Sequence, residues 1–238
     1  MTREDPTVRF ETSGAGPETY VLVHGIGASS RYFRPLAREL SRGAVVLNVD
    51  LPGHGSAPKP AHALSVPDYA RVLWSALEKT GVENPVLVGH SMGAQVVVEM
   101  ARTGRPVAGV ALLAPTNYAP ERSLWRQALR LAQDTLREPP AVNAIVFADY
   151  NFRCGPSWYL KTSTAMLGHH IEDRIAGVAA PLVIARGARD PIVPRRWVSE
   201  LADLRPGTRT FEVDGEAHVL MFRSAAEVAG LCRGLVEP

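Results

Sequence analysis

The chain has 238 residues, 46% hydrophobic and 21% charged, a composition typical of a globular protein with one large core. The formal net charge of +2, without a run of lysines or arginines, argues against a nucleic-acid surface. Two cysteines are too few for a disulfide framework, so a reducing cytoplasm is the expected location. The charged residues 1–6 lack the apolar core of a signal peptide, and no apolar stretch is long enough to span a bilayer.

Seven short apolar segments are predicted to be strands, with amphipathic helices between them. This alternation is typical of an α/β protein with a mostly parallel sheet. The later segments are continuous apolar runs, which indicates strands that are covered on both faces. In chain order the predicted strands are 8–12, 19–24, 44–50, 85–88, 110–114, 182–186 and 208–213.

Helical spacing of apolar residues predicts helices near 33–40, 69–77 and 197–204, and another from 224 onwards. The second of these is the best marked. Ser65 and Asp68 fit a capping box, and Gly81 follows the expected end. Ser224 is expected to open the last helix, and Cys232 is expected to be buried on its apolar stripe.

Residues 116–178 interrupt the alternation. They contain no convincing strand, but helical patterns occur at 124–136 and 158–167. A connection of roughly 60 residues between two core strands is far longer than usual. We therefore predict a core of residues 1–115 and 179–238 with a helical cap inserted at 116–178. Large cap side chains are expected mainly to pack within the cap: Trp125, Phe147, Tyr150, Phe152, Trp158 and Met166.

The sequence Gly89-His90-Ser91-Met92-Gly93 follows a predicted strand and precedes a predicted helix. A strand that turns sharply into a helix holds the middle residue in a strained conformation and exposes its side chain. Two glycines allow the strand and the helix to pack closely around the bend. The amino terminus of the helix favours a developing negative charge. The pattern predicts that Ser91 is a nucleophile.

An activated serine needs a base and an acid that orients the base. Asp190 follows the strand predicted at 182–186, and His218 follows the strand that ends at 213. Both are therefore expected at the same sheet edge as Ser91, the edge at which open α/β sheets bind ligands. Asp214 and Glu216 are weaker candidates for the acid, because they lie so near His218 in sequence.

An oxyanion site is predicted from the glycine-containing loop after the second strand, residues 24–29. The loop can bend back toward the nucleophile, so the backbone N–H groups of Ile26 and Met92 would both face the oxyanion. Two such donors lower the barrier by roughly 3 kcal/mol each.

Together these motifs resemble the α/β-hydrolase fold family, in the branch that carries a helical cap. The matching segments are 24–27, 50–56, 89–93 and 187–190, together with His218, and the resemblance covers nearly the whole chain outside the cap. It implies a mostly parallel central sheet flanked by helices. One difference is that only about one strand precedes Thr19, where the family commonly has a longer antiparallel hairpin.

The resemblance implies structural roles for His24, His54 and His90, and Asp50 is expected to form hydrogen bonds within its loop. His169 and His170 are not expected to bind a metal, because adjacent helical side chains diverge. No cofactor and no metal are predicted.

The expected function is a serine hydrolase that cleaves a carboxylic ester, thioester or lactone through an acyl-enzyme on Ser91. C–C bond hydrolases of the meta-cleavage type and cofactor-free perhydrolases share this residue set and stay open as alternatives. Haloalkane dehalogenases and many epoxide hydrolases carry Asp in place of the serine, which argues against both. A ligand-binding receptor on the same scaffold is the alternative of a different class. The expected partner is a small acyl substrate, without a nucleic-acid or membrane partner.

Overall fold

The computed structural model describes residues 6–236. Residues 1–5, on which most of the signal-peptide expectation rests, lie outside that range, as do residues 237 and 238. A single sheet has the strand order β1-β3-β2-β4-β5-β6-β7, in which β1 is antiparallel to β3 and every other pair is parallel. The strands are β1 (Arg9–Ser13), β2 (Thr19–Val23), β3 (Val45–Asp50), β4 (Val86–His90), β5 (Gly109–Leu113), β6 (Leu182–Gly187) and β7 (Arg209–Val213). The predicted mostly parallel α/β sheet is confirmed, and each predicted strand overlaps an observed one.

Eight α-helices lie within the described range: α1 (Arg34–Leu40), α2 (Val66–Glu78), α3 (Met92–Ala101), α4 (Leu124–Thr135), α5 (Pro140–Asp149), α6 (Pro156–Gly168), α7 (Arg195–Leu204) and α8 (Ala225–Arg233). The capping box of α2 is present, because Ser65 Oγ accepts the Asp68 N–H and the Asp68 carboxylate accepts the Ser65 N–H. Ser224 precedes α8 as expected but makes no capping bond. Its hydroxyl donates instead to the Glu216 carboxylate, over 2.9 Å.

The centre of the sheet is the core of the molecule. Every residue of β4, β5 and β6 is buried, as their continuous apolar sequences predict for strands covered on both faces. Helix α1 packs on α8, and α2 packs on α3. Because β2, β4, β6 and β7 all run in the same direction, the loops at their carboxyl ends meet at one edge of this rigid sheet.

The segment between β5 and β6 is helical, and its start meets the end of α6. Asn117, near its start, donates from Nδ2 to the carbonyl oxygens of Met166 and His169, over 3.1 and 2.7 Å. Gln95 of α3 donates from Nε2 to the same two carbonyls, over 3.0 and 3.1 Å. We call these four residues the neck. Helix α5, which lies between the two predicted helical patterns, is not among the predicted helices.

Large side chains of the helical segment divide into two groups. Trp158 and Met166 are buried, as expected, with 5% of each exposed. Trp125, Phe147 and Phe152 are 64%, 65% and 83% exposed, so the expectation that they pack inside the segment is wrong. The helical spacing of apolar residues in α4 predicts a face that packs on other protein, whereas much of that face is exposed to solvent. Within residues 6–236, no helix is long and apolar enough to cross a membrane.

Candidate active site

Ser91 lies at the bend between β4 and α3 with φ 56° and ψ −119°, a strained conformation for a residue with a side chain. Its N–H donates to the Leu113 carbonyl over 3.0 Å, which fixes the bend to the neighbouring strand. A Cβ atom on Gly89 would lie 2.3 Å from the Gly93 oxygen, and one on Gly93 would lie 2.1 Å from the Val23 oxygen. Only glycine fits at either position, so the backbone holds Ser91 where the sequence predicts it.

His218 and Asp190 form a buried hydrogen-bonded pair. The His218 Nδ1 atom lies 2.8 Å from Asp190 Oδ2, and each residue is 5% exposed. The other carboxylate oxygen of Asp190 accepts the N–H groups of Ile192 and Val193, over 2.7 and 3.1 Å. Asp190 is therefore held by its own loop with one oxygen directed at the imidazole. In the neutral ring, that bond places the proton on Nδ1 and leaves Nε2 as an acceptor.

Ser91 and His218 line the same cavity, which has a volume of about 90 Å³. The lining includes Ile26 and Ile192 from the core loops and Tyr159 from α6, and it contains no lysine, arginine, aspartate or glutamate. Within the described residues, no hydrogen bond joins Ser91 Oγ to the His218 ring, a bond that often tightens only when substrate is bound. Larger clefts of about 490 and 550 Å³ contain none of the predicted site residues.

The two N–H groups predicted to bind an oxyanion are available. Within residues 6–236, neither the Ile26 N–H nor the Met92 N–H donates to a protein acceptor. The preceding Gly25 N–H is already bonded to the Tyr32 hydroxyl oxygen, over 2.7 Å, which holds the loop in place. Gly27 has φ +69°, and a Cβ atom there would lie 2.8 Å from the Tyr159 ring. The helical segment thus packs directly on this loop.

A buried hydrogen-bonded chain connects three of these loops. The Tyr32 hydroxyl, which accepts from Gly25, donates to His90 Nδ1 over 2.7 Å. His90 Nε2–H then donates to the His218 carbonyl over 3.0 Å, a direction required because a carbonyl can only accept. Burial and the neighbouring His218 charge hold the His90 pKa well below its usual value, so this ring is neutral. The sequence draws attention to His90 but not to Tyr32.

Two other residues given structural roles also hold loops. His24 Nε2 accepts the Leu51 N–H over 3.0 Å, which ties the loop after β2 to the loop after β3. Asp50 accepts the Ser30 N–H over 2.8 Å and both the N–H and the hydroxyl of Ser56, over 2.7 and 2.8 Å. Both oxygens of the Asp50 carboxylate are thus engaged within these loops, as expected of a structural residue.

Two acidic residues that the sequence does not single out hold the His218 loop. Asp134 of α4 accepts the His218 backbone N–H over 3.2 Å, and Glu138 accepts the Val219 N–H over 2.7 Å. Both side chains are buried, at 5% and 8% exposed. Asp134 and Glu138 are the only acidic residues between 122 and 148, but nothing in that spacing indicates a contact with His218.

The carboxyl groups around His218 change its proton affinity. Burial raises the pKa of Asp134 to about 6 and that of Glu138 to about 7. Burial alone would lower the pKa of His218. The Asp190 charge and hydrogen bond, with smaller contributions from Asp134 and Glu138, outweigh it and raise that pKa to about 9. The imidazole is therefore surrounded by carboxyl groups that stabilise its protonated form, and two of them, Asp134 and Glu138, belong to the helical segment.

Comparison with known proteins gives partial sequence matches and full-length structural ones. The dihydrolipoyllysine-residue acetyltransferase component of the acetoin cleaving system of Cupriavidus necator is 28% identical over 143 residues, which cover 60% of this chain and 38% of that protein. A 2-hydroxy-6-oxononadienedioate/2-hydroxy-6-oxononatrienedioate hydrolase of Paraburkholderia phymatum is 32% identical over 147 residues, which cover 57% of this chain and 50% of that protein. The matched region thus spans no more than half of either relative.

Two solved structures share the fold over nearly their whole length. A bromoperoxidase from Bacillus anthracis has a TM-score of 0.84 at 18% identity, with 97% of this chain and 95% of that chain covered. An enol-lactonase from Burkholderia xenovorans has a TM-score of 0.82 at 18% identity, with 96% of each chain covered. A sequence profile described as the alpha/beta hydrolase family matches residues 20–231, from the first parallel strand to the last helix. The chain therefore belongs to the alpha/beta hydrolase family, and the resemblance stated from its motifs is confirmed.

Proposed function

We propose that this hydrolase cleaves a carboxylic ester, thioester or lactone through an acyl-enzyme on Ser91. The observation that carries the proposal is the buried His218–Asp190 pair, which lies beside the cavity that a strained serine also lines. A buried imidazole held by a carboxylate, with its second nitrogen free, suits a general base for a serine hydroxyl.

The reaction follows from this arrangement. Ser91 Oγ attacks the substrate carbonyl while His218 Nε2 accepts its proton. The Ile26 and Met92 N–H groups donate to the tetrahedral oxyanion, and the loss of one such donor typically costs about 3 to 4 kcal/mol of barrier lowering. The C–O or C–S bond then breaks as His218 returns the proton to the leaving group. Water attacks the acyl-enzyme by the same route and releases the acid.

The cavity favours a small, uncharged acyl group. Its volume of about 90 Å³ is well below the roughly 300 Å³ at which pockets for drug-sized ligands begin. No lysine or arginine lines it, and the His218 ring must be neutral to act as the base, so a carboxylate on the substrate would lose water without gaining a cation in the reactive state. This argues against a dioate, the substrate in the name of the Paraburkholderia relative, and so against that version of the C–C hydrolase alternative.

We also propose that residues 116–178 form a cap domain on a core of residues 1–115 and 179–238. The neck supports this division, because the helical segment leaves and rejoins the core at one hydrogen-bonded place. The segment also packs on the loops that hold Gly27 and His218.

The test is turnover of p-nitrophenyl esters of increasing acyl length by wild-type protein and by Ser91→Ala. We expect the highest kcat/KM with acetate or butyrate, and a loss of at least about 10⁴-fold in Ser91→Ala. Ser163→Ala is the matched control, because Ser163 lines the same cavity but its hydroxyl donates to the Tyr159 carbonyl, over 2.8 Å. Wild-type turnover in Ser91→Ala would refute the proposal.

Sustained turnover also separates the enzyme from a receptor on the same scaffold. A fluorophosphonate would label Ser91 in either case, whereas only the enzyme releases many equivalents of p-nitrophenol. Hydrogen peroxide added to the assay addresses the perhydrolase alternative. A peracid product formed faster than the free acid would favour that alternative over hydrolysis.

A further inference from the structure

Exposed apolar side chains are concentrated on the helical segment. Of the ten large apolar residues exposed within the described chain, eight lie between positions 124 and 160. Solvent exposure of this many large apolar groups within one segment of the chain is unusual, and exposed apolar surface of this kind generally marks an interaction site. The eight are Leu124, Trp125, Leu129, Leu131, Leu136, Phe147, Phe152 and Leu160. We call their surface the outer face.

The exposed charges within residues 122–168 are all of one sign. Between residues 122 and 168 the three acidic side chains are Asp134, Glu138 and Asp149, and all three are buried. Four basic side chains of the same range are exposed: Arg126, Arg137, Arg153 and Lys161. The Arg126 guanidinium lies 5.2 Å from the centre of the Trp125 ring, so cation and apolar surface are interleaved.

This combination selects among possible partners. A second copy of the chain bound face to face would bring like charges together without an exposed acid in this range to pair with them. A surface with anionic headgroups and an apolar interior would satisfy both the arginines and the leucines. Amphipathic helices that lie in a lipid interface have this composition, with Trp, Phe and Leu beside Lys and Arg.

The outer face also adjoins the cavity. Leu124 and Leu131 of α4 are 46% and 37% exposed, and both line the cavity that holds Ser91. Two side chains of the outer face are therefore also part of the cavity wall. A small ester that has partitioned into a lipid surface would meet apolar side chains at the entrance to the cavity.

We propose that the outer face docks on an anionic lipid surface, with α4 in the interface. The expectation of no membrane partner depends on the lack of a spanning stretch, and a helix that lies flat on a surface needs none. The inference does not depend on the chemistry proposed for Ser91. Ser91→Ala protein is therefore expected to bind lipid as wild type does, so the two proposals can fail separately.

The chain carries its own fluorescent reporter for the test. Trp74, Trp158 and Trp197 are only 5%, 5% and 2% exposed, whereas Trp125 is 64% exposed. The emission of Trp125 is expected to shift to the blue when full-length protein is mixed with vesicles of equal parts phosphatidylcholine and phosphatidylglycerol. The protein is expected to sediment with these vesicles, less so as salt is raised, and not with pure phosphatidylcholine.

Variants distinguish the outer face from other surfaces. The double variant Leu129→Ser, Phe152→Ser is expected to weaken sedimentation at least about tenfold, since each change removes apolar area that would be buried. Phe211→Ser is the matched control, because Phe211 is 38% exposed on β7, outside the helical segment. Trp125→Phe should keep binding and lose the spectral shift.

Three results would overturn the proposal. One is no sedimentation with either vesicle. Another is equal binding to neutral and anionic vesicles, which would remove the role of the basic side chains. The last is a blue shift that grows with protein concentration in the absence of lipid, since that would assign the outer face to a second copy of the chain.

Discussion

Replacing Asp134 with Asn is expected to lower the pKa of His218 and so to shift the acidic limb of the kcat/KM profile to lower pH. His218 must be neutral to accept the Ser91 proton, so kcat/KM should rise with pH as the imidazole loses its own proton. With a His218 pKa near 9, the acidic limb of the wild-type profile should lie well above the usual histidine range. The Asp134 carboxylate is one of the charges that hold that pKa high.

The size of the effect can be worked from charge separation. An opposite charge within about 4 to 6 Å of a titrating group typically contributes at least about 1.4 kcal/mol. The Asp134 carboxylate accepts the His218 backbone N–H over 3.2 Å and is one of the smaller contributions to the His218 pKa. About 1.4 kcal/mol corresponds to a tenfold change in proton affinity. We therefore expect the acidic limb of the pH–rate profile of Asp134→Asn to lie about one pH unit lower than that of wild type. The Asn side chain keeps an oxygen to accept the His218 N–H, so the change removes charge with little change of shape.

The assay is kcat/KM for p-nitrophenyl acetate from pH 5 to 10, with circular dichroism as the check of folding. Glu121→Gln is the control, because this acid of the helical segment pairs with Arg130 and is not one of the main contributors to the His218 pKa. An acidic limb for Asp134→Asn that lies at the same pH as that of wild type, or at a higher pH, would refute the reasoning. So would a wild-type limb at or below pH 6.5.

Two further substitutions test how the site is held. Gly53→Ala should lower the thermal midpoint and kcat/KM, because its Cβ would lie 2.0 Å from Trp158 Nε1 at φ +81°. Gly81→Ala, at φ +76° with nothing within 4 Å, should cost only about 1 to 2 kcal/mol and leave kcat/KM unchanged; equal effects of the two would contradict the argument. Arg186→Lys should lower the free energy of unfolding by about 2 to 4 kcal/mol and lower kcat more than it changes KM, because the buried guanidinium donates to the Asp190 carbonyl over 3.1 Å. Chemical denaturation and steady-state kinetics measure both effects, and an unchanged kcat would show that Arg186 does not position Asp190.

The sheet is predictable because parallel strands that are buried on both faces need continuous apolar sequence, as in 85–88 and 182–186. Residues that directly follow such strands share one edge, which is why the amino-acid sequence alone is enough to group Ser91, Asp190 and His218. Helix α5 escapes prediction because Pro139-Pro140 has the pattern of a break, although a proline is also well suited to the first turn of a helix.

The supporting residues cannot be predicted, because their roles depend on distant contacts. Tyr32 meets His90 across 58 positions of sequence, and Asp134 meets His218 across 84. Neither pair has a local pattern that distinguishes it from an ordinary buried tyrosine or an ordinary helical acid. The exposure of Trp125 cannot be predicted from the sequence either. An amphipathic helix has the same spacing of apolar residues whether its apolar face is covered by protein or exposed to solvent.

The neck has a consequence for how such a protein can diversify. Because Asn117 and Gln95 bind the same two carbonyls, the start of the helical segment and the end of α6 are fixed to each other and to α3. Residues between them can be lengthened, shortened or exchanged while β5 and β6 remain paired. Natural variation, or the grafting of a segment from a relative, can thus change the residues of the helical segment that line the cavity and leave the sheet that positions Ser91 intact.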